Sequence, residues 1–202
     1  GNEVVEADRP LGTQIMKRLA DFVHEFEPTR KVTAAIQPVG HKPNGTPWDM
    51  SFEMDVVSYN YQSQYFQTDK EKYDFIIIGS ETLPYYTRNY KDPDKKYVEK
   101  VSWFPAKEHA LGHFIWTGID YLGEAVQPWP LKGWENAPVN TAGFRKPFSW
   151  YIESLYSDKP MVHIAVRDET VTRQVGKAGW DWPPVSSHWN WKESEESLKI
   201  YT

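Results

Sequence analysis

The chain has 202 residues, with 23 Lys and Arg against 28 Asp and Glu, no Cys and a net charge of −5. A mildly acidic chain has no general attraction for nucleic-acid phosphates or anionic lipid, so we expect neither nucleic acid nor a membrane as a partner. No apolar run approaches the roughly 18 residues of a membrane-spanning helix. The lack of Cys excludes a disulfide scaffold, a thiolate metal site and a Cys nucleophile. It fits bacterial periplasm and cytoplasm equally, so the compartment stays unknown.

Helical and strand-like patterns alternate along most of the chain. Arg9 to Pro28 carries apolar residues at helical spacing after Asp8, a cap signal, and predicts an amphipathic helix. Apolar and β-branched runs predict buried strands at residues 31–36, 55–61, 74–81 and 114–121. Further helices are predicted at residues 62–73, 106–113 and 146–156. This alternation is typical of an α/β fold with a parallel sheet.

Each of these predicted strands ends in polar or aromatic residues. Such strands are typical of a (β/α)8 barrel of the TIM type, with an open doubly wound sheet as the alternative. An eight-stranded barrel takes roughly 250 residues. Residues 1–157 would therefore supply only its C-terminal half, roughly strands 4 to 8. Both ends of the chain fall in strand-like sequence, so we expect it to be a piece of a longer protein.

The pattern changes near Ser157. Strands are predicted at residues 161–166 and 197–202, and residues 176–190 are rich in Trp, Pro and Gly. We predict a linker and the beginning of an immunoglobulin-like β-sandwich domain over residues 158–202.

Two carboxylates stand out by their position. Glu3 follows Gly1 and Asn2, and Glu81 ends the apolar run that begins at Phe75. An ionisable group at the carboxyl end of a buried barrel strand is well placed for chemistry. The alternative is that each glutamate only marks the point where its strand reaches the surface.

Several ordered motifs resemble a known family. They are GNE, DVVSYNY, IIIGSE, FIWTGIDYLGE, NTAGFRK, HWNW and SLKIYT. Together they resemble successive signatures of glycoside hydrolase family two, most closely its bacterial β-galactosidase-like branch. The resemblance covers nearly the whole chain in the family's order. It implies a retaining exo-β-glycosidase that removes a terminal neutral hexose from a carbohydrate substrate.

The resemblance also implies roles for individual residues. Glu3 would be the general acid/base and Glu81 the nucleophile, with Tyr61 beside the nucleophile. Substrate contacts are implied for three further residues, Asn2, Asn60 and Trp116. Trp is abundant here, with 10 residues. On composition alone Trp side chains are more often core than sugar platforms, but at Trp116 the resemblance favours sugar contact.

The chemistry of retaining hydrolysis agrees with this assignment. It needs two carboxyl groups about 5 to 5.5 Å apart, one attacking the anomeric carbon and one protonating the leaving oxygen. Glu81 must therefore be ionised, with neighbours such as Tyr61 donating to it, while Glu3 carries a proton.

The residues that follow the strand predicted at 114–121, the eighth strand of the barrel, bear on which sugar is bound. Family β-glucuronidases carry an Asn-x-Lys-Gly stretch there, whose Asn and Lys bind the sugar carboxylate. Asn140 to Gly143 matches this stretch with Ala142 in place of the cation. A uronic acid is therefore disfavoured unless Arg145 or Lys146 substitutes, and a galactoside is preferred to a mannoside.

No cofactor is firmly implied. His109 and His113 have a metal-like i,i+4 spacing, but no third ligand is evident and hydrogen bonding is the simpler interpretation. Some family members bind Mg²⁺ near the acid/base, so magnesium in the intact parent stays open; the additional ligands would lie upstream of Gly1.

The rival interpretation is a non-catalytic carbohydrate-binding or assembly module derived from the same fold. We expect the 202-residue chain alone to have little or no turnover, because a catalytic acid at its third residue would be poorly held. A half barrel would also expose strand edges and apolar helix faces. A second copy of the chain is therefore one candidate partner.

Overall fold

The computed structural model describes residues 1–36, 41–82, 86–88, 97–99, 104–123, 133–134, 137–168, 185–187 and 196–201. Within these ranges the helices are α1 (Pro10–Phe26), α2 (Phe66–Tyr73) and α3 (Pro147–Tyr156). The strands, in chain order, are β1 (Ala35–Ile36), β2 (Val57–Asn60), β3 (Ile77–Thr82), β4 (Tyr86–Arg88), β5 (Tyr97–Glu99), β6 (His113–Ile115), β7 (Tyr121–Leu122), β8 (Gly133–Trp134), β9 (His163–Asp168), β10 (Val185–Ser186) and β11 (Glu196–Tyr201).

The chain forms two compact units. The first comprises Gly1–Leu83 with Ser102–Ile115, and the second comprises Pro84–Val101 with Trp116–Thr202. None of the described helices is both long and apolar enough to cross a membrane.

A parallel sheet organises the first unit. Its strand order is β1-β2-β3-β6, and every neighbouring pair is parallel. Asn2 adds a parallel bridge to Ala35 on the open side of β1. Five successive chain segments therefore run side by side in sequence order, with α1 and α2 as crossovers. The predicted α/β fold with a parallel sheet is confirmed.

The core of the first unit lies between β2 and α2. Tyr59 and Phe66 are fully buried, with ring centroids 5.9 Å apart. Gly79 of β3 faces this layer. A Cβ at this position would lie 2.7 Å from Thr82 Cγ2 and 3.0 Å from His113 Cβ, so these neighbours would have to shift to admit a larger residue.

Helix α1 lies where the periodicity predicts an amphipathic helix. Gly12, Met16 and Ala20 are buried. The larger apolar side chains form an exposed stripe, which we call the α1 stripe: Leu11, Ile15, Leu19, Phe22 and Phe26. An exposed apolar helix face was expected for a half barrel.

Several predicted elements are shorter than expected. The run 31–36 contributes only β1, and residues 106–113 give a 3₁₀ helix, Phe104–His109, rather than an α-helix. The predicted strand 114–121 is wrong as a single buried element, because it divides into β6 and β7 around a turn. Phe114 and Ile119 within it are 67% and 57% exposed.

The second unit contains an antiparallel sheet with the order β10-β9-β11. Strand β9 pairs with β11 from His163 opposite Tyr201 to Asp168 opposite Glu196. Trp150 of α3 stacks on His163 at 4.8 Å, which joins the helix to the sheet. The strands predicted near 161–166 and 197–202 are present, whereas most of residues 176–190 lie outside the described ranges. The proposed domain boundary near residue 157 stays a prediction.

Candidate active site

The carboxyl ends of β2 and β3 meet at a local irregularity in the sheet. Tyr59 is opposite Gly79, but Asn60 is opposite Glu81, so Ser80 is an extra residue in β3. A bulge of this kind changes the direction of the side chains that follow it. Ser80 and Glu81 are consequently both beside the end of β2.

Tyr61 contacts Glu81 through both its side chain and its backbone. The phenol donates a hydrogen bond to Glu81 Oε2 at 2.5 Å, and the Tyr61 N–H donates to the Glu81 carbonyl at 2.8 Å. A phenol donor stabilises the ionised form of a carboxylate. The arrangement suits Glu81 as a negatively charged nucleophile.

Asn60 contacts the other predicted catalytic segment. Its Nδ2 group donates to Glu3 Oε1 and to Asn2 Oδ1, each at 3.1 Å. Backbone hydrogen bonds fix Glu3 as well, since Glu3 N–H donates to the Ala35 carbonyl and Ala35 N–H donates to the Gly1 carbonyl, both at 3.0 Å. Glu3 and Asn2 are therefore held against the sheet by both backbone and side chain.

Two consecutive residues thus contact the two candidate catalytic carboxylates. Neighbouring side chains of an extended strand point to opposite faces. Tyr61, however, has a φ of 58°, in the left-handed region, which ends the alternation immediately after Asn60. Glu3 also has a positive φ, 47°. Such conformations cost non-glycine residues on the order of 1 kcal/mol and are concentrated at functional sites.

The structure brings together five of the six predicted site residues within the first unit: Asn2, Glu3, Asn60, Tyr61 and Glu81. Trp116 belongs to the second unit. There its ring packs against Trp134 and Tyr121, with centroids 5.0 and 5.9 Å apart. Its predicted contact with sugar stays a prediction.

Ser80 is a further residue of this site that was not predicted from its sequence pattern. Its hydroxyl donates to Asn60 Oδ1 at 2.7 Å. The motif IIIGSE contains Ser80 beside Glu81, but adjacent strand residues normally face opposite ways, so only the bulge brings this hydroxyl to Asn60.

The stretch matched to the uronate-binding motif forms a turn in the second unit. Asn140 Oδ1 accepts hydrogen bonds from the backbone N–H groups of Ala142 and Phe144, at 3.0 and 2.9 Å. Gly143 has a φ of 84°, which a glycine adopts without strain. The carboxamide oxygen of Asn140 therefore stabilises its own loop.

The two cations that could replace the missing lysine both have anionic partners. Arg145 Nη2 lies 2.6 Å from Glu153 Oε2, and its guanidinium lies 3.6 Å from the centre of the Trp150 ring. Lys146 Nζ lies 2.6 Å from Asp120 Oδ2. Recruiting either cation to a sugar carboxylate would require breaking these contacts.

The two histidines with metal-like spacing do not share a helix. His109 ends the 3₁₀ helix, whereas His113 begins β6 and has its Nδ1 2.5 Å from Thr82 Oγ1. Burial lowers the pKa of His113 to about 4. Among the residues described, no three His, Asp or Glu side chains are grouped as a metal site would require. Magnesium in the intact parent stays a prediction.

Comparisons with known proteins bear on the predicted resemblance. No family model matches the chain. Two solved structures of glycosyl hydrolase family 2 members from Bacteroides cellulosilyticus are 27% identical over the whole chain, with TM-scores of 0.78 and 0.74. The chain covers 27% and 24% of those two proteins. The β-galactosidase BoGH2A of Bacteroides ovatus is 25% identical over 95% of this chain, which covers 24% of that relative.

The chain therefore spans about a quarter of the length of these relatives. The resemblance to glycoside hydrolase family 2 is confirmed: the chain is similar to one segment of the family's proteins over nearly all its length.

Proposed function

We propose that this chain supplies the C-terminal half of a (β/α)8 catalytic barrel in a retaining β-glycosidase, with Glu81 as nucleophile and Glu3 as general acid/base. The main support is that Tyr61 and Asn60, consecutive at the end of β2, contact these two carboxylates. Because the chain spans a quarter of its relatives, the activity is proposed for the whole protein that contains it.

In the first step, the Glu81 carboxylate attacks the anomeric carbon while the bond to the leaving oxygen breaks. Glu3 gives its proton to that oxygen and becomes a carboxylate. In the second step, Glu3 takes a proton from water, the water oxygen attacks the same carbon, and Glu81 is released. Two displacements retain the β configuration.

The Tyr61 phenol has a defined part in both steps. In the resting enzyme its hydrogen bond holds Glu81 Oε2, so the attacking carboxylate is oriented. When Glu81 leaves in the second step, the same donor stabilises the returning negative charge.

We propose a neutral hexose, with a β-galactoside as the first candidate. This is supported by the Ala142 substitution and by the anionic partners of Arg145 and Lys146, and it is compatible with the similarity to a β-galactosidase. Trp116 is proposed to contact the sugar ring by stacking.

The stereochemical outcome tests this function. The whole protein should hydrolyse a nitrophenyl β-galactoside, and proton NMR should detect β-galactose before its conversion to the α-anomer. Glu81→Gln should abolish turnover, with Glu71→Gln, an exposed position on helix α2, as the matched control. Release of α-galactose first would contradict a retaining mechanism. A folded protein that binds galactosides without hydrolysing them would favour the non-catalytic module.

A further inference from the structure

The amide of Asn60 is fully buried and contacts three polar side chains. Nδ2 donates to Asn2 Oδ1 and Glu3 Oε1, and Oδ1 accepts from the Ser80 hydroxyl. An amide NH₂ offers two donor hydrogens, and both have acceptors here. Ionised Glu3 can only accept, so it directs the Asn60 nitrogen toward itself, and the Asn60 oxygen is then placed to accept from the Ser80 hydroxyl.

This orientation distinguishes the two oxygens of Glu3. Because Nδ2 of Asn60 can only donate, Glu3 Oε1 must accept its hydrogen bond. The carbonyl oxygen of a protonated carboxyl group is a better acceptor than its hydroxyl oxygen, so the hydrogen bond from Asn60 is stronger when the proton is on the other oxygen. In a protonated Glu3 the hydrogen consequently belongs on Oε2.

We propose that Ser80 is a positioning residue for the acid/base: its hydroxyl fixes the Asn60 amide, and the amide in turn restricts the catalytic proton to Glu3 Oε2. The inference rests on the proposed glycosidase function. Oε2 then gives its proton to the leaving oxygen in the first step and takes one from the attacking water in the second, while Oε1 keeps its hydrogen bond to Asn60 throughout.

Without the Ser80 hydroxyl, the buried Asn60 oxygen loses this donor, and the amide loses the contact that anchors it beside Glu3. A less firmly placed amide holds its hydrogen bond to Glu3 Oε1 less well, so the position of the acid/base carboxyl is less defined. The bulge at Ser80 makes this anchor available, since it brings the hydroxyl of β3 beside the end of β2.

The test exploits the fact that good leaving groups need little protonation. Ser80→Ala in the whole protein should lower kcat/KM for an alkyl β-galactoside about 3- to 10-fold, the effect of losing one buried hydrogen bond. The kcat/KM for 2,4-dinitrophenyl β-galactoside should change less than about 2-fold, because the dinitrophenolate leaves without acid assistance. Ser80→Thr retains a hydroxyl and should restore alkyl galactoside hydrolysis.

A matched control separates positioning from structural damage. Ser58 is a buried serine of the same sheet whose hydroxyl lies 2.5 Å from Thr33 Oγ1. Ser58→Ala should not change the ratio of the alkyl and dinitrophenyl rates. If Ser80→Ala does not fold, Ser80→Cys can be used, since it has a similar side-chain volume and a weak donor. It should also lose more activity on the alkyl galactoside than on the dinitrophenyl galactoside, to a smaller degree.

Three results would overturn the inference. A wild-type protein with no hydrolysis of either substrate contradicts the proposed function, and the role of Ser80 with it. An active wild type with equal losses on both substrates in Ser80→Ala contradicts only the positioning role. So does an active wild type whose alkyl galactoside rate is unchanged in Ser80→Ala.

Discussion

Tyr61 and Glu81 are joined by two hydrogen bonds, one from the Tyr61 phenol to the Glu81 carboxylate and one between their backbones. The backbone bond fixes the distance between the ends of β2 and β3, and the phenol then fixes the carboxylate on that frame. Tyr61 adopts a left-handed φ of 58° in this geometry. A strained backbone position and the contact with the proposed nucleophile therefore occur at the same residue.

Removing the Tyr61 hydroxyl should impair catalysis more than folding. Tyr61→Phe loses a hydrogen bond to a charged group, worth about 1.5 to 3 kcal/mol, so kcat should fall roughly 10- to 100-fold. Steady-state kinetics of the whole protein on nitrophenyl β-galactoside measure this. Tyr73→Phe, at the end of α2, is the matched control. An unchanged kcat in Tyr61→Phe would show that the phenol does not support Glu81.

A buried polar cluster should stabilise the first unit. Asp69 is fully buried and accepts hydrogen bonds from Tyr59 and from His41 Nε2, the latter at 3.0 Å. Burial, together with the hydrogen bond to Asp69, raises the pKa of the Tyr59 phenol well above its usual value, so the phenol keeps its proton and donates.

Asp69→Ala leaves these partners buried and unsatisfied, and should lower the free energy of unfolding by about 3 to 5 kcal/mol. Asp74→Asn, at an exposed ion pair with Lys70, should change it far less, because solvent screens that pair. Urea unfolding of the chain measures both variants. Similar, small effects in the two variants would contradict a stabilising role for the buried cluster.

Stability should decrease in mild acid because of His113. Burial lowers its pKa from 6.5 to about 4 in the folded chain. Above pH 6.5 the imidazole is neutral in both states, so its contribution does not vary there. Between pH 6.5 and 4 the unfolded chain binds a proton that the folded chain does not, and stability falls as the pH falls.

His113→Gln should reduce this dependence in urea titrations between pH 7 and about pH 4. His109→Gln, in the preceding 3₁₀ helix, controls for the loss of an imidazole. Equal pH dependence in wild type and His113→Gln would show that another group is responsible.

The α1 stripe should make the isolated chain self-associate. Ile15 and Phe22 are 44% and 59% exposed, on a helix whose opposite face contacts the rest of the first unit. Ile15→Glu with Phe22→Glu should reduce the associated fraction in sedimentation velocity without lowering the melting temperature. Leu111→Glu, an exposed apolar site elsewhere, should have little effect. A monomeric wild-type chain at high concentration would contradict the expectation.

Ala142 should limit the use of uronides. Ala142→Lys adds a cation where the family's uronate motif has one, so activity of the whole protein on a nitrophenyl β-glucuronide should rise about 10- to 100-fold. Thr141→Lys adds the same charge one residue earlier and should not produce this gain. A wild type that prefers glucuronide to galactoside would refute the neutral-sugar assignment.

The positions of the two glutamates could be predicted from the sequence because strand-like runs end there in polar residues. Glu81 illustrates this: Phe75 to Ile78 are apolar, and Ser80 and Glu81 follow closely. Parallel strands align such ends at one edge of a sheet, whereas the roles of Asn60 and Tyr61 were implied by the resemblance to the family.

Other features depend on three-dimensional context. The role of Ser80 follows from an extra residue in the pairing of β2 and β3, and no residue pattern specifies that register. Periodicity predicted α1, but the face that is buried depends on its neighbours, and here the smaller Met16 and Ala20 are covered. Trp116 lies in a turn, although the run that contains it predicted a continuous strand.

The identity of the nucleophile can be tested directly by covalent trapping. The 2-fluoro substituent of 2-deoxy-2-fluoro β-galactosyl fluoride slows both displacements. Because fluoride is a good leaving group, the first displacement still occurs, and a glycosyl-enzyme accumulates in a retaining enzyme. Peptide mass spectrometry of the inactivated whole protein should locate the label on Glu81, and Glu81→Gln should remain unlabelled. Labelling of another carboxylate, or none in a protein that turns over galactosides, would contradict Glu81 as the nucleophile.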